Sequence, residues 1–459
     1  MTYPEAIDFL YGLRMFGTKL GLENTFRLAH ICGNPQEHLR FIHVAGTNGK
    51  GSTCAMLESI YQAAGLKVGL FTSPHLVSFG ERIQINRHPI SDEEVVNLVQ
   101  RTQVWLKQGW PDVGAQIFNS PASTQFGEAG ASRFAVDHHP TFFEVVTVMA
   151  LSYFADHKCD LVIWETGLGG RLDATNIVRP LASVITNIQY DHQQWLGETL
   201  EKIAAEKAGI IKPRIPVITA TDSPEALRVI EESSRRQNAH LIVIEPNSPE
   251  SALPNGIKLP LLGKHQRLNA ELAIATVRTL ADQISVSPEA IRTGLSTVHW
   301  PGRLQMVTRP SGQKILLDGA HNVSGAETLV TALKENFPSS KPAIILGILR
   351  DKDWARVCEI FSSYAARMVL VPVSSDRSAT PQELVEACGK ANGEILACDR
   401  LKQALAATEQ DEFVVVAGSL YLVGEAMELL ELSPSKSAGE RGLNEWSVSQ
   451  ELTSGKPHS

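Results

Sequence analysis

Short apolar runs alternate with longer amphipathic stretches from Phe41 to about residue 430. Ten of these runs have the length of strands, and apolar residues occupy both of their faces. The runs are residues 41–46, 68–73, 161–166, 183–188, 216–220, 241–245, 314–321, 343–348, 368–373 and 413–419. Strands that are apolar on both faces are typical of parallel sheets covered by helices on each side. The pattern therefore predicts two doubly wound α/β units.

The order of the runs and the interruptions between them predict the domain boundaries. The segment TVHWPGRLQ places Pro and Gly after a helical stretch, so we expect a first domain at residues 1–298 and a second, smaller one at 299–432. Residues 111–138 are rich in Gly, Ser, Pro and Ala, which predicts a loop insertion. Residues 433–459 are polar and have no periodic apolar face, which predicts a disordered tail.

Composition narrows the class of protein. The chain has 459 residues, 43% of them hydrophobic, which is too long for one compact core and fits two domains. Its net charge of −8 argues against a nucleic-acid partner, which would need a basic surface. The six cysteines form no CxxC pair, no apolar run is long enough to cross a membrane, and the N-terminus lacks a secretory pattern. We therefore expect a cytoplasmic protein without membrane or nucleic-acid partners.

The segment HVAGTNGKGST, residues 43–53, joins the first apolar strand to a helical stretch. Glycines at such a junction let backbone N–H groups face phosphate oxygens, and the helix N-terminus adds partial positive charge. Lys50 is placed to reach the β- and γ-phosphates of a nucleotide, and Ser52 or Thr53 to hold Mg²⁺. Val44 replaces the first glycine of G-x-x-x-x-G-K-[ST], and an extra glycine separates Lys50 from Ser52. This variant loop resembles that of the Mur ligase superfamily, whose members join amino acids to carboxylates.

Polar residues also gather where four of the predicted strands end, at TSPH (72–75), ETG (165–167), NIQYDH (187–192) and DGAH (318–321). In open α/β sheets, ligands bind outside the carboxyl ends of the strands. The phosphates of ATP need a hard cation, and Mg²⁺ prefers a few oxygen ligands plus water. Ser73, Glu144, and Asp191 or His192 are available donors, and the sequence pattern alone does not choose among them.

Ten segments in order along almost the whole chain resemble the folylpolyglutamate synthase/dihydrofolate synthase family. They are FGTKLGL (16–22), HVAGTNGKGST (43–53), FTSPHLVSFGERIQIN (71–86), TFFEVVTVMAL (141–151), ETGLGGRLDATN (165–176), ITNIQYDHQQWLGETLEKIAAEKAGIIK (185–212), LLGKHQRLNAELAIA (261–275), WPGRLQ (300–305), LLDGAHN (316–322) and VAGSLYLVGE (416–425). The resemblance implies a P-loop central domain of Mur ligase type and a smaller Rossmann-like C-terminal domain. It also implies an ATP-dependent ligase that adds L-glutamate to dihydropteroate, giving dihydrofolate, and to tetrahydrofolate, giving folylpolyglutamates, through an acyl phosphate.

The resemblance further assigns residues to ligands and implies a monomer. The residues implied to bind ATP are Thr47, Asn48, Gly49, Lys50, Gly51, Ser52, Asn269, Arg303, Asp318 and His321. The residues implied to position Mg²⁺, as two ions, are Ser73, Glu144 and His192. The residues implied to contact the pterin substrate are Thr18, Arg82, Thr141, Phe142, Phe143, Gly169, Gly170 and Arg171. The implied catalytic residues are Lys50, His192 and Lys207, with Lys207 carbamylated by CO₂ or bicarbonate.

Several alternatives remain open at this point. The chain could be a monofunctional folylpolyglutamate or dihydrofolate synthase, and His192 or Asp191 could accept the proton of the incoming amine. A peptidoglycan Mur ligase would need a nucleotide-sugar-binding domain before Lys50, where too little chain precedes it. A P-loop kinase would leave residues 168–176 and the second domain unexplained. A nucleotide-gated binding protein without catalysis fits poorly with intact Lys50, Glu144, His192 and Lys207.

Overall fold

Two sheets form the frame of the protein, and their strands are short. The structure, a computed structural model, describes residues 1–17, 21–111, 139–245, 253, 257–389, 393–433 and 440–445. The strands are β1 (Phe41–Ala45), β2 (Val68–Phe71), β3 (Ile83–Ile85), β4 (His88–Pro89), β5 (Leu161–Glu165), β6 (Ala182–Ile185), β7 (Val217–Thr219), β8 (Leu241–Val243), β9 (Gln305–Thr308), β10 (Lys314–Leu317), β11 (Ala343–Leu346), β12 (Arg367–Leu370), β13 (Ile395–Ala397) and β14 (Phe413–Ala417).

Helices cover the sheets, and many begin at a capping Ser, Thr, Asp or Asn, which supplies an acceptor for free backbone N–H groups. In the described residues the α-helices are α1 (Tyr3–Gly12), α2 (Glu23–Ile31), α3 (Lys50–Ala63), α4 (Asp92–Gly109), α5 (Phe142–Asp156), α6 (Gln193–Leu196), α7 (Leu200–Ala208), α8 (Pro224–Arg236), α9 (Lys264–Thr279), α10 (Pro288–Thr297), α11 (Val323–Asn336), α12 (Trp354–Tyr364), α13 (Pro381–Cys388), α14 (Leu401–Ala407) and α15 (Leu420–Leu429). Short 3₁₀ helices lie at Leu13–Phe16, Pro35–His38, Phe79–Arg82, Ala174–Ile177 and Glu440–Asn444. Among the described residues no helix is long and apolar enough to cross a membrane.

The first sheet has eight strands in the order β4-β3-β2-β5-β1-β6-β7-β8. β1 lies inside it, parallel to β5 on one side and to β6 on the other. The carboxyl ends of these three strands therefore meet at one edge of the sheet, where β1 leads directly into α3. This is the edge at which α/β sheets bind ligands.

The second sheet has six strands in the order β13-β12-β11-β14-β10-β9. Its strands are parallel except β9, which is antiparallel to β10. Two α/β sheets with helices agree with the predicted fold class. The ten predicted apolar runs all contain strands, whereas β3, β4, β9 and β13 were not predicted. All four lie at or beside a sheet edge, where partial exposure breaks up the apolar run.

The prediction of a disordered tail is wrong for residues 440–445. Residues 440–444 form a 3₁₀ helix, and Leu443 is buried in the core of the first sheet's domain. The apolar pattern did not reveal this segment because Glu440 and Asn444, which are also buried, are held by hydrogen bonds and not by apolar packing. The remainder of the predicted tail from 434 on, and the predicted loop insertion from 112 on, lie outside the described residues.

The helix that follows β1 is fixed by an unusually close contact with α10. Gly294 of α10 lies against the backbone of Ile60 in α3, and the Ser59 hydroxyl donates a 2.7 Å hydrogen bond to the Gly294 carbonyl. A Cβ on Gly294 would lie 2.5 Å from the Ile60 Cα, which is closer than two atoms can pack. A glycine at this position therefore sets the distance between the two helices.

Replacing Gly294 with valine should lower the free energy of unfolding by about 2 kcal/mol, because the helices must separate to admit the side chain. Urea denaturation followed by circular dichroism would measure the loss. Gly12→Ala is the matched control, since a Cβ there meets no described atom within 4 Å and the backbone is helical. That control should be neutral or stabilising by up to about 1 kcal/mol. Equal stabilities for the Gly294 variant and the wild type would contradict the close contact.

Candidate active site

A cleft of about 390 Å³ lies between the two sheets, at the carboxyl ends of strands from both. It collects most of the residues that the sequence assigned to ligands. The predicted residues that line it are Thr47, Asn48, Gly49, Lys50, Gly51, Ser52, Ser73, Arg82, Thr141, Phe142, Phe143, Glu144, Gly169, His192, Lys207, Asn269, Arg303, Asp318 and His321. A cleft with convergent polar groups at this edge is the expected position of an active site.

The loop after β1 is built so that backbone can approach a ligand. Gly46 has φ 151°, and a Cβ there would lie 1.8 Å from the Thr186 hydroxyl oxygen. Gly49 precedes α3 with φ 83°, and a Cβ there would lie 2.6 Å from the Asn269 side-chain oxygen. Only glycine fits at both positions, and the loop opens directly into the positive end of a buried helix. This arrangement suits a phosphate group.

Two lysines converge on the carbonyl oxygen of Gly46. Lys50 Nζ donates to it at 3.1 Å and Lys207 Nζ at 2.8 Å. Lys207 is only 4% exposed. Burial, with a further contribution from the charge of Lys50, lowers the pKa of Lys207 to about 7. The loop therefore concentrates positive charge that an anionic ligand or a modified lysine would neutralise.

Two buried glutamates, the predicted metal ligand Glu144 and a second one, Glu165, have different hydrogen-bond partners. Glu144 lies in the first turn of α5, where it accepts a 2.7 Å hydrogen bond from the Thr141 N–H in a capping box. Glu165 ends β5 and accepts a 3.1 Å hydrogen bond from the Ser73 N–H. Burial raises the pKa of Glu165 to about 7 against the opposing charge of Lys50. Glu165 thus lies beside Ser73 and close to the phosphate loop, whereas Glu144 is engaged in capping.

Asp191 of the first domain makes direct hydrogen bonds to two residues of the second domain. Lys352 Nζ donates to its Oδ1 at 2.6 Å, and Asn322 Nδ2 donates to its Oδ2 at 3.1 Å. The His321 Nε2 lies 3.7 Å from the same Oδ2. Burial alone would raise the pKa of Asp191, but the neighbouring His321 side chain and the charge of Lys352 hold it well below its ordinary value. The carboxylate is therefore ionised and already occupied, which does not favour a role as a base.

His192 follows Asp191 in a left-handed conformation, with φ 51°, and directly precedes α6. Its Nε2 lies 3.3 Å from Lys352 Nζ. Burial, reinforced by the charge of Lys352, lowers the pKa of His192 to about 3. The ring is therefore neutral near pH 7, which is the form that accepts a cation and a poor form for holding a proton.

The second domain presents a loop whose shape depends on Asp318 at the end of β10. Its carboxylate accepts hydrogen bonds of 2.9 Å from the backbone N–H groups of Leu304 and Ala320. His321 follows in the same loop and lines the cleft, and so does Arg303, which directly precedes Leu304. Asn48 of the phosphate loop reaches across and exchanges side-chain hydrogen bonds with Asn322, at 3.2 and 3.4 Å.

An aromatic and cationic wall closes the first-domain side of the cleft. The Phe143 ring packs against Gly167, where a Cβ would lie 2.5 Å from the ring, so the glycine makes room for it. The Arg82 guanidinium lies 5.4 Å from the centre of the Phe142 ring. Arg82 is buried, and its Nε donates a 2.8 Å hydrogen bond to His75 Nδ1. A flat ring system could stack on this wall.

Among the described residues, two predicted substrate residues, Gly170 and Arg171, do not line the cleft. Gly170 packs against Ile210 and the backbone carbonyl of Glu206, where a Cβ would lie 2.9 to 3.0 Å from both. Arg171 points outward and pairs with Glu206 at 2.7 Å, with its side chain 56% exposed. Both positions stabilise the glycine-rich loop and do not face the ligand space. Thr18 lies outside the described residues.

Sequence reasoning gave no role to several residues of the cleft. Lys352 lies in the segment DKDW shortly after β11, so the same rule of strand carboxyl ends points to it. Glu165 ends one of the predicted strands, but the sequence pattern does not assign it to the metal. Asn444 and Glu445 also line the cleft, and no pattern in their polar neighbourhood predicts this.

Comparisons with known proteins agree with the geometry. Residues 115–277 match the family model of the Mur ligase middle domain, and residues 302–420 match that of the Mur ligase glutamate ligase domain. The chain is similar to the dihydrofolate synthase/folylpolyglutamate synthase of Bacillus subtilis strain 168, with 37% identity over 94% of this chain and 99% of the relative.

Solved structures give the same result. A folylpolyglutamate synthase from Thermotoga maritima superposes with a TM-score of 0.78 at 34% identity, covering 96% of this chain and 99% of the other. The E. coli FolC structure in complex with DHPP and ADP superposes with a TM-score of 0.77 at 30% identity, covering 95% and 99%.

Lys352→Met should lower the free energy of unfolding by about 3 kcal/mol near pH 7, because it leaves Asp191 buried without its main cation. The folded-state pKa of Asp191 lies below its unfolded value, so the pair stabilises the fold fully above about pH 4 and loses that effect as the pH falls through the folded pKa. The difference between variant and wild type should therefore narrow only below about pH 4.

Urea denaturation at a series of pH values would measure this difference. Lys264→Met is the control, since Lys264 makes a lysine–glutamate pair of the same 2.6 Å length with Glu335 but is 82% exposed. That variant should lose at most about 1 kcal/mol. A Lys352 variant as stable as this control would show that the pair between the domains is not important for stability.

Proposed function

Because the chain belongs to the folylpolyglutamate synthase/dihydrofolate synthase family of Mur ligases, we propose that it joins L-glutamate both to dihydropteroate and to tetrahydrofolates. It is an ATP-dependent carboxylate–amine ligase. The bifunctional activity is supported by the B. subtilis and E. coli relatives, both named dihydrofolate synthase/folylpolyglutamate synthase. ATP and the pterin substrate are supported by related structures with DHPP and ADP, and with AMPPCP and folate.

The observation that carries this proposal is the cleft, which places a phosphate loop and an aromatic wall within one cavity. The loop at Gly46–Lys50 suits the ATP phosphates, and the wall at Phe142 and Phe143 suits a flat pterin. The second domain supplies Arg303, Asp318 and His321, which we assign to the nucleotide, together with Asn269. Binding in these positions would bring the substrate carboxylate that is to be activated close to the γ-phosphate of ATP.

A carboxylate is a poor acyl donor because its oxygen must leave as oxide. Transfer of the γ-phosphoryl group to that oxygen gives an acyl phosphate and ADP, and Lys50 with the α3 N-terminus neutralises the charge that moves. The neutral amine of L-glutamate then attacks the carbonyl carbon, and phosphate leaves from the tetrahedral intermediate. The low pKa values of His192 and Asp191 argue against either of them as the acceptor of the amine's proton.

We propose that Mg²⁺ is held by Ser73, Glu165 and His192, with Glu165 in place of the expected Glu144. The residues fit such an ion, since Glu165 is a buried carboxylate beside Ser73, whose N–H donates a hydrogen bond to it, and burial keeps the His192 ring neutral near pH 7 by lowering its pKa. In the described residues no group of three or more His, Cys, Asp or Glu forms a complete metal cage. Mg²⁺ fits a site with few protein ligands, because it binds one or two protein oxygens together with phosphate oxygens and water. When bound, it offsets charge on the ATP phosphates.

Lys207 is our candidate for carbamylation by CO₂ or bicarbonate. Its pKa of about 7 leaves much of the amine neutral at physiological pH, and the neutral amine is the form that attacks CO₂. A carbamate there would convert a buried cation beside Lys50 into an anion. That change would relieve the repulsion between the two lysines and add an oxygen donor beside the phosphate loop, where a second Mg²⁺ would lie.

We further propose a division into domains at residues 1–298 and 299–432, with the cleft between them closing on ATP. We also propose that the active unit is a monomer. ATP and folates as substrates support a cytoplasmic protein that needs no nucleic acid or membrane.

Glu165→Gln should lower turnover at saturating ATP by about 100-fold and raise the Mg²⁺ concentration needed for half-maximal rate, because it removes a charge from the proposed metal site. Glu144→Gln is the matched variant, an equally buried glutamate that caps a helix. It should lose about 1 kcal/mol of stability but keep the Mg²⁺ dependence of the wild type. Steady-state rates over a magnesium titration separate the two, and the reverse result would restore Glu144 as the ligand.

The test of the function is glutamate-dependent phosphate release from ATP, with bicarbonate and Mg²⁺ present. Dihydropteroate and tetrahydrofolate are supplied separately, and mass spectrometry should find each product heavier by one glutamyl unit. Product from one substrate alone would show a monofunctional synthase. If neither substrate supports phosphate release, the folate assignment is overturned.

A further inference from the structure

The described part of the chain's C-terminal region, residues 440–445, lies along the cleft and contacts both domains, and we refer to it as the C-terminal strap. At its start, Glu440 Oε2 accepts hydrogen bonds from the Phe79 N–H at 2.6 Å and the Tyr3 hydroxyl at 3.1 Å, both in the first domain. The next residue, Arg441, pairs with Glu428 of α15 in the second domain. The strap is therefore anchored on both sides of the cleft.

The last two strap residues occupy two arginines of the cleft wall. Asn444 Oδ1 accepts a hydrogen bond from Arg82 Nη2, and Glu445 Oε2 accepts one from Arg377 Nε at 3.1 Å. All four residues line the cleft. The Arg377 and Glu445 side chains are 22% and 10% exposed. Strap oxygens thus pair with cationic groups that would otherwise face the ligand.

The contact between Glu445 and Arg377 is incomplete. Glu445 Oε1 is buried and has no hydrogen-bond partner among the described residues, so half of the carboxylate is unsatisfied. Arg377 has other partners, Asp351 at 3.2 Å and the Tyr421 hydroxyl at 3.4 Å, while its Nε faces Glu445. Exchanging Glu445 for another carboxylate would leave the charge around Arg377 unchanged. A ligand that satisfies both carboxylate oxygens would therefore have the advantage.

We propose that Arg377 is a binding site for a glutamyl carboxylate and that Glu445 fills it as an intramolecular stand-in until the substrate displaces the strap. The inference rests on the proposed function, because a ligase that uses glutamate brings free glutamyl carboxylates to this cleft. The carboxylate comes from free L-glutamate or from the glutamyl tail of a folate. A tethered competitor lowers the apparent affinity for either ligand in proportion to the time that it occupies the site.

The kinetic test compares Glu445→Gln with Glu394→Gln in the full chain. Glu394 pairs with Arg367 at 3.4 Å in the second domain and does not line the cleft, so it controls for the loss of an arginine–glutamate pair. Glu445→Gln should lower the KM for the displacing ligand about threefold relative to this control. Arg377→Met should raise the KM about tenfold, and adding Glu445→Gln to it should have no further effect.

Separate titrations of Glu445→Gln with L-glutamate and with triglutamyl tetrahydrofolate identify which of the two ligands competes with Glu445. Only the KM of the competing ligand should fall. Hydrogen–deuterium exchange supplies a reading that does not need turnover. L-glutamate or the triglutamyl folate should speed exchange in peptides covering 440–445 of the wild type but not of Arg377→Met.

The two measurements separate this inference from the proposed function. Faster strap exchange without any ligase turnover would support the carboxylate site and overturn the ligase assignment. Normal turnover with unaltered strap exchange, and a Glu445→Gln KM equal to that of Glu394→Gln, would overturn the stand-in and leave the ligase intact.

Discussion

The electrostatics of the site depend on the free-energy cost of placing several positive charges close together in a low-dielectric space. Lys50 and Lys207 both point at the Gly46 carbonyl, and Lys352 approaches from the other domain. One ionised carboxylate, Asp191, meets the third of these cations and so ties the domains together. In the described part of the chain, Lys50 and Lys207 donate to a carbonyl oxygen and form no direct ion pair, so an anionic nucleotide would offset their charge. Stability and ligand affinity are thus linked in the same few side chains.

This linkage explains why the pKa values at the site diverge. A buried acid beside lysines, Asp191, is held ionised, whereas Glu165, with a backbone N–H as its nearest partner, is raised toward neutrality. A buried histidine among cations stays neutral. Each group is prepared for a different task by its neighbours and not by its type, which is why residue types alone could not assign the tasks.

Much of the fold could be predicted from the sequence because the central strands are apolar on both faces, and a glycine-rich junction after β1 located the phosphate loop. The edge strands β9 and β13 could not be predicted, because they are half exposed and lack a continuous apolar run. Glu144 and Glu165 show the limit at the site. Both are buried glutamates in matching motifs, and only the hydrogen-bond partners separate a helix cap from a neighbour of Ser73. The ordered structure of residues 440–445 could not be predicted because polar contacts hold this segment in place. A prediction based on apolar periodicity does not detect such contacts.

The contact between α10 and α3 has a consequence for the order in which the protein is made. The helix that opens the phosphate loop ends at Ala63, yet the glycine that seats it comes more than two hundred residues later in the chain. During synthesis on the ribosome, the loop and its helix therefore emerge long before their packing partner exists. Until α10 has been synthesised, α3 lacks its close contact with Gly294. This contact therefore forms only after all eight strands of the first sheet have been synthesised.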